Sequence, residues 1–154
     1  MYSARVSRHV KAPRSAIYRA LVDADAIGRW RVPAGMTSRV HEFDAREGGS
    51  FRISLTYDEP GPAGKSSAHT DTFHGRFVKL VPDEQVVEVH EFETADPALR
   101  GEMIMTTTLT DADGGTTVLI VHDGVPDSVP AADNELGMRM ALANLAGLVE
   151  AQSG

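Results

Sequence analysis

The sequence predicts an α+β fold: a curved antiparallel sheet of about six to seven strands wrapped around a long C-terminal helix, with two short helices after the first strand. Three observations predict it. Segments of period two, joined by short turns, fill the chain from about residue 37 to 124. Met138, Leu142, Leu145 and Val149 then recur at helical spacing, with Ala141 and Leu148 widening the stripe. Finally, 154 residues, 42% of them apolar and 24% charged, suffice for one domain, 1–154, that builds its core without covalent staples.

Val6, Arg8 and Val10 stand opposite Arg5, Ser7 and His9, a strand over residues 2–10. Ala12-Pro13 opens a helix with proline at its first position, and Ile17, Ala20 and Leu21 give that helix one apolar face. Asp23 suits the N-cap of a second short helix that ends near Trp30 and is stopped by Val32-Pro33-Ala34-Gly35. Residues 37–44 alternate around Val40 and Phe43, and Gly48-Gly49 turns the chain. Phe51, Ile53, Leu55 and Tyr57 alternate with Arg52, Ser54, Thr56 and Asp58, the cleanest half-buried strand. Glu59 to Gly64 is a loop by composition.

Thr70–Leu80 and Gln85–Glu93 read as the next strands, separated by Val81-Pro82-Asp83. The second has no single phase: Val87 and Val89 suggest one face, His90 and Phe92 the other, and a bulge would reconcile them. Met103, Met105, Thr107 and Leu109 alternate in the strand after, Asp111 to Gly115 forms a hairpin turn, and Thr116–His122 is the last strand. Asp123 to Pro130 ends the sheet, and the long helix runs from about Pro130 to Ala151. Consecutive strands on short turns make an antiparallel meander, which one helix covers.

Charge excludes several partners. With 15 Lys+Arg against 22 Asp+Glu the net charge is −7, and no basic cluster is present, so no nucleic acid is expected. The N-terminus has no apolar run of a signal peptide, and no stretch is long enough for membrane insertion. The absence of cysteine removes disulfides, thiolate metal sites and thiol nucleophiles, and fits a cytoplasmic protein.

Motifs for chemistry are scarce. His41-Glu42 and His90-Glu91 each begin an H-E-x-x-H pattern, but Ala45 and Thr94 stand where the second histidine belongs, on strands rather than helices. His69 and His74 have opposite parity on one strand, so no metal site is expected. Asp111-x-Asp113-Gly114 lacks the glycine position and final glutamate of a calcium loop. No nucleophile elbow, dinucleotide fingerprint or phosphate loop occurs, so no cofactor is expected.

What remains is an apolar lining. Trp30, Phe43, Phe51, Ile53, Phe73, Phe77, Phe92, Met103, Met105, Met138, Leu142 and Leu145 are large or adaptable residues that would face the helix or lie on it. Asp71 shares parity with Phe73 and Phe77, although its place at a strand's start favours a solvated rim. His90 and His122 are candidate polar groups in such a cavity or, more commonly, surface histidines.

Ordered along the chain, several motifs resemble the START-like proteins of the SRPBCC superfamily. They are Ala12-Pro13…Tyr18-Arg19-Ala20-Leu21…Trp30…Pro33, Asp44-x-Arg46-x-Gly48-Gly49-x-Phe51, His74-Gly75-Arg76-Phe77…Val81-Pro82, Gly114-Gly115-Thr116-Thr117 and Gly137…Leu142…Leu145. The sequence is most similar to bacterial proteins related to the activator of the Hsp-ninety chaperone ATPase. The resemblance implies a helix-grip fold and a space between sheet and helix that binds lipids, polyketides or other hydrophobic molecules. It departs from many relatives at Arg31, where they carry an aromatic, and at Met138, where they carry a tryptophan. The eukaryotic activators have a further N-terminal domain that this sequence lacks, which argues against direct chaperone activation.

The expected function is therefore binding of a small hydrophobic molecule without catalysis. A cyclase- or dehydratase-like enzyme, drawing on Asp71, His90, His122 and Arg139, is the alternative. A stress-linked chaperone-interaction protein is the third reading. Nothing in the sequence specifies a homodimer, which stays open.

Overall fold

The computed structural model describes residues 1–58 and 70–153. The expected loop at 59–64 and His69 lie outside the described residues. The element order is β1 (Tyr2–Val10), α1 (Arg14–Leu21), α2 (Ala24–Trp30), β2 (Met36–Phe43), β3 (Ser50–Tyr57), β4 (Thr70–Val81), β5 (Gln85–Phe92), β6 (Met103–Ala112), β7 (Gly115–Val125) and α3 (Ala131–Ser153). A short 3-10 turn at Pro97–Leu99, which sequence reading missed, precedes β6.

The described strands form one seven-stranded sheet in the order β1-β7-β6-β5-β4-β3-β2. Every pairing is antiparallel. β2 to β7 are the predicted meander, and β1 returns to pair with β7. The β6–β7 turn is built on Asp113 (φ 40°) and Gly114 (φ 78°), two left-handed residues of the kind that tight hairpins require.

The strand of residues 85–93 departs from expectation. It is regular, pairing with β6 from Gln85↔Thr108 to His90↔Met103 without a shift. The irregularity lies in the neighbour, β4, between Phe77 and Lys79. Val86, Glu88 and His90 therefore share one buried face at period two. The mixed phase arose because a charged residue, Glu88, occupies a buried position that sequence patterning assigns to an apolar one.

Two helix starts differ in detail. Pro13 is the N-cap of α1 rather than its first residue. Asp23 caps α2 by position, but its side chain makes no capping bond; its backbone carbonyl accepts from Ile27 N–H at 2.9 Å instead. Ala16, Ile17, Ala20 and Leu21 bury one face of α1. Trp30 closes α2 onto α1, its indole N–H donating to the Ala20 carbonyl at 2.9 Å.

α3 runs closest to β1, α1 and α2. Leu142, Leu145, Ala146 and Val149 are fully or nearly fully buried there, with Val6, Val10 and Val118. Each such aliphatic side chain removed from water contributes about 1.5–3 kcal/mol. On the other side of the sheet's concave face, Phe51 lies against Gly75. A Cβ at residue 75 would stand 2.1 Å from the Val89 carbonyl and 2.8 Å from the Phe51 ring, so only glycine fits. Because α3 is pinned at its C-terminal half, its N-terminal half spans the open part of the curve, and a cavity lies beneath it.

Candidate ligand cavity and its buried polar chain

The cavity encloses about 440 Å³. β3, β4 and β5 contribute Leu55, Tyr57, Asp71, Phe73, His90 and Phe92; β6 and β7 add Met105 and His122. The far wall is the first part of α3, from Asn134 and Leu136 to Met138 and Ala141, and Arg31 with Pro33 and Ala34 closes the side. The rim is exposed at Ala34, Asp133 and Leu136. A second, smaller space of about 50 Å³ lies deeper, between Trp30, Leu21, Ile27, Val86 and Ile120. Arg31, Met105, Met138 and Ala141 belong to both, so these four side chains partition the two.

One polar chain crosses the base of this apolar space. Arg31, the residue after α2, reaches β5 and pairs with Glu88 through Nη2. Its guanidinium lies over the rings of Phe73, at 5.2 Å, and Phe51, at 5.9 Å. Glu88 Oε1 is 3.3 Å from His90 Nδ1. His90 Nε2 is 3.0 Å from His122 Nε2, and His122 Nδ1 is 3.4 Å from the amide nitrogen of Asn134 on α3. The sheet register explains the meeting: Met105 pairs with both Glu88 and His122, so one row of β6 separates them, and Met103 faces His90.

These contacts fix the direction of every hydrogen bond. A carboxylate only accepts, so His90 carries its proton on Nδ1 and donates to Glu88. His90 Nε2 must then accept, so His122 carries its proton on Nε2. His122 Nδ1 is left as an acceptor, met by the Asn134 N–H. The chain runs Asn134 to His122 to His90 to Glu88, with both histidines neutral and Arg31 and Glu88 neutralising each other.

The electrostatics agree. Burial opposes the charge on Glu88, but the Arg31 guanidinium and the His90 hydrogen bond outweigh it and hold the carboxyl at about 2. Burial pushes His90 below the usual histidine range, against the pull of Glu88. Burial, reinforced by His90 and Arg31, brings His122 down to about 3. Both imidazoles stay uncharged around neutral pH.

Of the predicted lining residues, Asp71, Phe73, His90, Phe92, Met105, His122 and Met138 meet in the cavity wall. Asp71 is buried, 5% exposed, and not at a solvated rim; Thr72 and Phe73 beside it are buried as well. His90 and His122 are likewise buried rather than on the surface. Phe51, Ile53, Phe77, Met103, Leu142 and Leu145 sit instead in the packed core, and Phe43 stacks edge-on against Phe77 with centroids 5.5 Å apart. The first six are no more than 2% exposed, and none of the seven lines the cavity. Trp30 lines the small inner space. Arg139 points outward and pairs with Glu135 one helical turn away at 2.8 Å.

Sequence reading missed Glu88 and Asn134, and singled out Arg31 only as a departure from relatives. A signal existed for Glu88: its parity with Val86, His90 and Phe92 is even and uninterrupted. No group of three or more acidic or histidine side chains among the described residues is arranged to hold a metal ion. No helix among them is long and apolar enough to cross a membrane.

A curved antiparallel sheet gripping a long helix over an apolar cavity defines the START-like, helix-grip class of protein. The sequence profile of one family of that class, described as Activator of Hsp90 ATPase homolog 1-like protein, matches residues 11–150, and the chain belongs to that family. A structure from Chromobacterium violaceum is 33% identical, with a TM-score of 0.85 over 97% of this chain and 99% of that one. One from Rhodobacter sphaeroides is 21% identical, with a TM-score of 0.78 over 97% and 93% of the two chains. One from Arthrobacter aurescens, 14% identical, reaches 0.79 over 97% and 86%. The last two share the fold alone. No curated protein matches the sequence.

Proposed function

We propose that this protein binds a small, largely apolar molecule in the cavity between its sheet and the N-terminal half of α3, without chemical conversion. The observation that carries this reading is the cavity itself. At about 440 Å³ it exceeds the roughly 300 Å³ at which small-molecule pockets begin. Its walls are mostly aromatic, aliphatic and methionine side chains, interrupted by a smaller set of polar groups, the pattern that ligand pockets share. Three of its lining methionines, Met105, Met138 and Met140, adapt to varied shapes.

Thermal unfolding against a panel of lipophilic compounds tests this. A ligand at 100 times its Kd adds about 2.7 kcal/mol, which for a domain of this size raises Tm by roughly 5–11 °C. A shift of that size confined to one chemical class supports the reading. A panel spanning sterols, fatty acids, aromatic polycycles and terpenoids that leaves Tm unmoved overturns it.

One observation favours a second reading, an enzyme of cyclase or dehydratase type: His90 and His122 converge on the cavity within 3.0 Å of each other. General acid–base work needs such groups beside a substrate proton. Their uncharged, weakly basic state weighs against it, since a base of pKa about 3 has little drive to take a proton at neutral pH.

A further inference from the structure

Every nitrogen of the two imidazoles is bonded, and one is bonded only weakly. Glu88 accepts from Arg31 and His90, and both nitrogens of His90 are bonded at 3.3 and 3.0 Å. His122 Nε2 is committed to His90. His122 Nδ1 is the exception. Its partner, the Asn134 amide, stands 3.4 Å away, at the weak end of hydrogen bonding, and that amide nitrogen also approaches Met138 Sδ at 3.8 Å. Both His122 and Asn134 line the cavity, while His122 is only 5% exposed. An acceptor nitrogen, held in place by the rest of the chain, therefore stands at the cavity wall with only this long bond to Asn134.

From this geometry we propose that the cavity selects ligands carrying a hydroxyl group, a phenol or alcohol on an apolar body, whose O–H donates to His122 Nδ1 while Asn134 turns to donate its N–H to the hydroxyl oxygen. The inference rests on the cavity-binding reading above and names its ligand class. A hydroxyl suits the site because it donates and accepts at once. An ether or a ketone only accepts, so it cannot pair with Nδ1, and the weak Asn134 bond there stays as it is. The direction of the chain enforces this: His122 cannot offer a proton at Nδ1 unless the His90 and Glu88 bonds are rebuilt. The other charged groups facing the cavity are Arg31, already paired with Glu88, and Asp71 and Asp133, both carboxylates that cannot substitute for the imidazole as a neutral acceptor. The neutral state of the ring at ordinary pH keeps the lone pair available. A bound partner that completes a buried acceptor gains about 1 kcal/mol, and a site built for a hydroxyl rejects analogues without one.

The test is calorimetric titration of the whole chain with 2-naphthol and with 2-methoxynaphthalene, in which a methyl group replaces the hydroxyl hydrogen. The expected result is that 2-naphthol binds about fivefold tighter. In His122→Phe the preference should vanish while the ether still binds, which also shows that the cavity has folded. Should His122→Phe fail to fold, Asn134→Ala is the second variant. It removes the competing amide but leaves Nδ1, and should keep the preference for naphthol. Equal affinity of the two probes for the wild-type protein overturns the hydroxyl assignment but leaves the binding reading intact. So does a preference that survives in His122→Phe or disappears in Asn134→Ala. Failure of both probes to bind the wild-type protein, together with a flat lipophile panel, overturns both. A third readout is the visible spectrum of bound 4-nitrophenol. A neutral-phenol band fits an acceptor, whereas a phenolate band below the free phenol's own pKa would overturn it, because His122 would then be taking the proton.

Discussion

The two halves of α3 meet the same sheet in different ways. From Leu142 to Val149 the helix is packed to closure, with Leu142, Leu145, Ala146 and Val149 no more than 2% exposed. From Asn134 to Ala141 it stands over a cavity whose base carries two histidines, an arginine and a glutamate. The first half is held by apolar contact, which tolerates exchange among residues of similar size. The second stands over a hydrogen-bonded chain whose members depend on one another, since each buried polar atom is costly once its partner is removed. The difference teaches where stability and recognition are divided in this fold: packing secures the helix, and the polar chain shapes the space it leaves.

The comparison breaks most sharply when one member is removed from each half. Arg31→Met strips the charge from beside Glu88 and should cost about 3–5 kcal/mol, because a buried carboxylate is left without its cation. The double variant Arg31→Met with Glu88→Gln should recover a large part of that loss. Leu145→Ala, in the packed half, should cost about 2–5 kcal/mol through the cavity it creates, and no second substitution at residue 88 should recover it. Urea unfolding of the wild type, the three single variants Arg31→Met, Glu88→Gln and Leu145→Ala, and the two double variants that add Glu88→Gln checks this. Additive losses in the double variant of Arg31 and Glu88 would show that the two do not act as a unit.

Acid titrates one half and not the other. In the unfolded chain His122 takes a proton near pH 6.5, but in the folded chain not until about 3. The unfolded state therefore binds more protons throughout that window, and stability rises with pH there and falls as pH is lowered. The slope is about 1.4 kcal/mol per pH unit for each such histidine, and His90, whose pKa is also lowered by burial, adds in the same direction. Glu88 extends the decline: its stabilising charge is present above 4.5 and is lost as pH falls toward about 2. Unfolding free energy measured from pH 7 to 4 should thus fall steeply in the wild type and less steeply in His122→Gln. Equal slopes would place the titration elsewhere.

The packed half was legible in the sequence, and the polar half was not, for a physical reason. Leu142, Leu145 and Val149 announce themselves by period, as do Phe51 and Ile53 on β3, because apolar side chains have only one place to go. Family motifs such as Gly114-Gly115-Thr116-Thr117 added the fold's identity. Glu88 violates the pattern it belongs to. Its burial depends on Arg31, 57 residues away, and pairing across such a distance leaves no local trace. The phase of β5 was misread for the same reason, and with it the burial of His90. Asp71 and His122 could be placed on the right face only once strand parity was known. Neither showed whether helix and sheet would touch there or stand apart.

The smallest expected effect isolates the rim of the open half. Leu136 lies on α3, lines the cavity and is 52% exposed, whereas Leu142, two turns further along, is 2% exposed. Replacing Leu142 by alanine removes a buried side chain; replacing Leu136 removes one that water already reaches. Leu136→Ala should therefore change the unfolding free energy by no more than about 0.5 kcal/mol. Its effect belongs to the bound state, where a ligand would shield part of that side chain from water. Loss of one or two buried methylene equivalents at about 0.8 kcal/mol each predicts roughly a four- to fifteenfold weaker affinity for 2-methoxynaphthalene. The same factor should appear for 2-naphthol, because an apolar rim contact and the O–H bond to His122 are made at different ends of the molecule and add. A loss of affinity confined to the naphthol would mean that Leu136 acts on Asn134, two residues before it, and would join rim and polar base into a single unit.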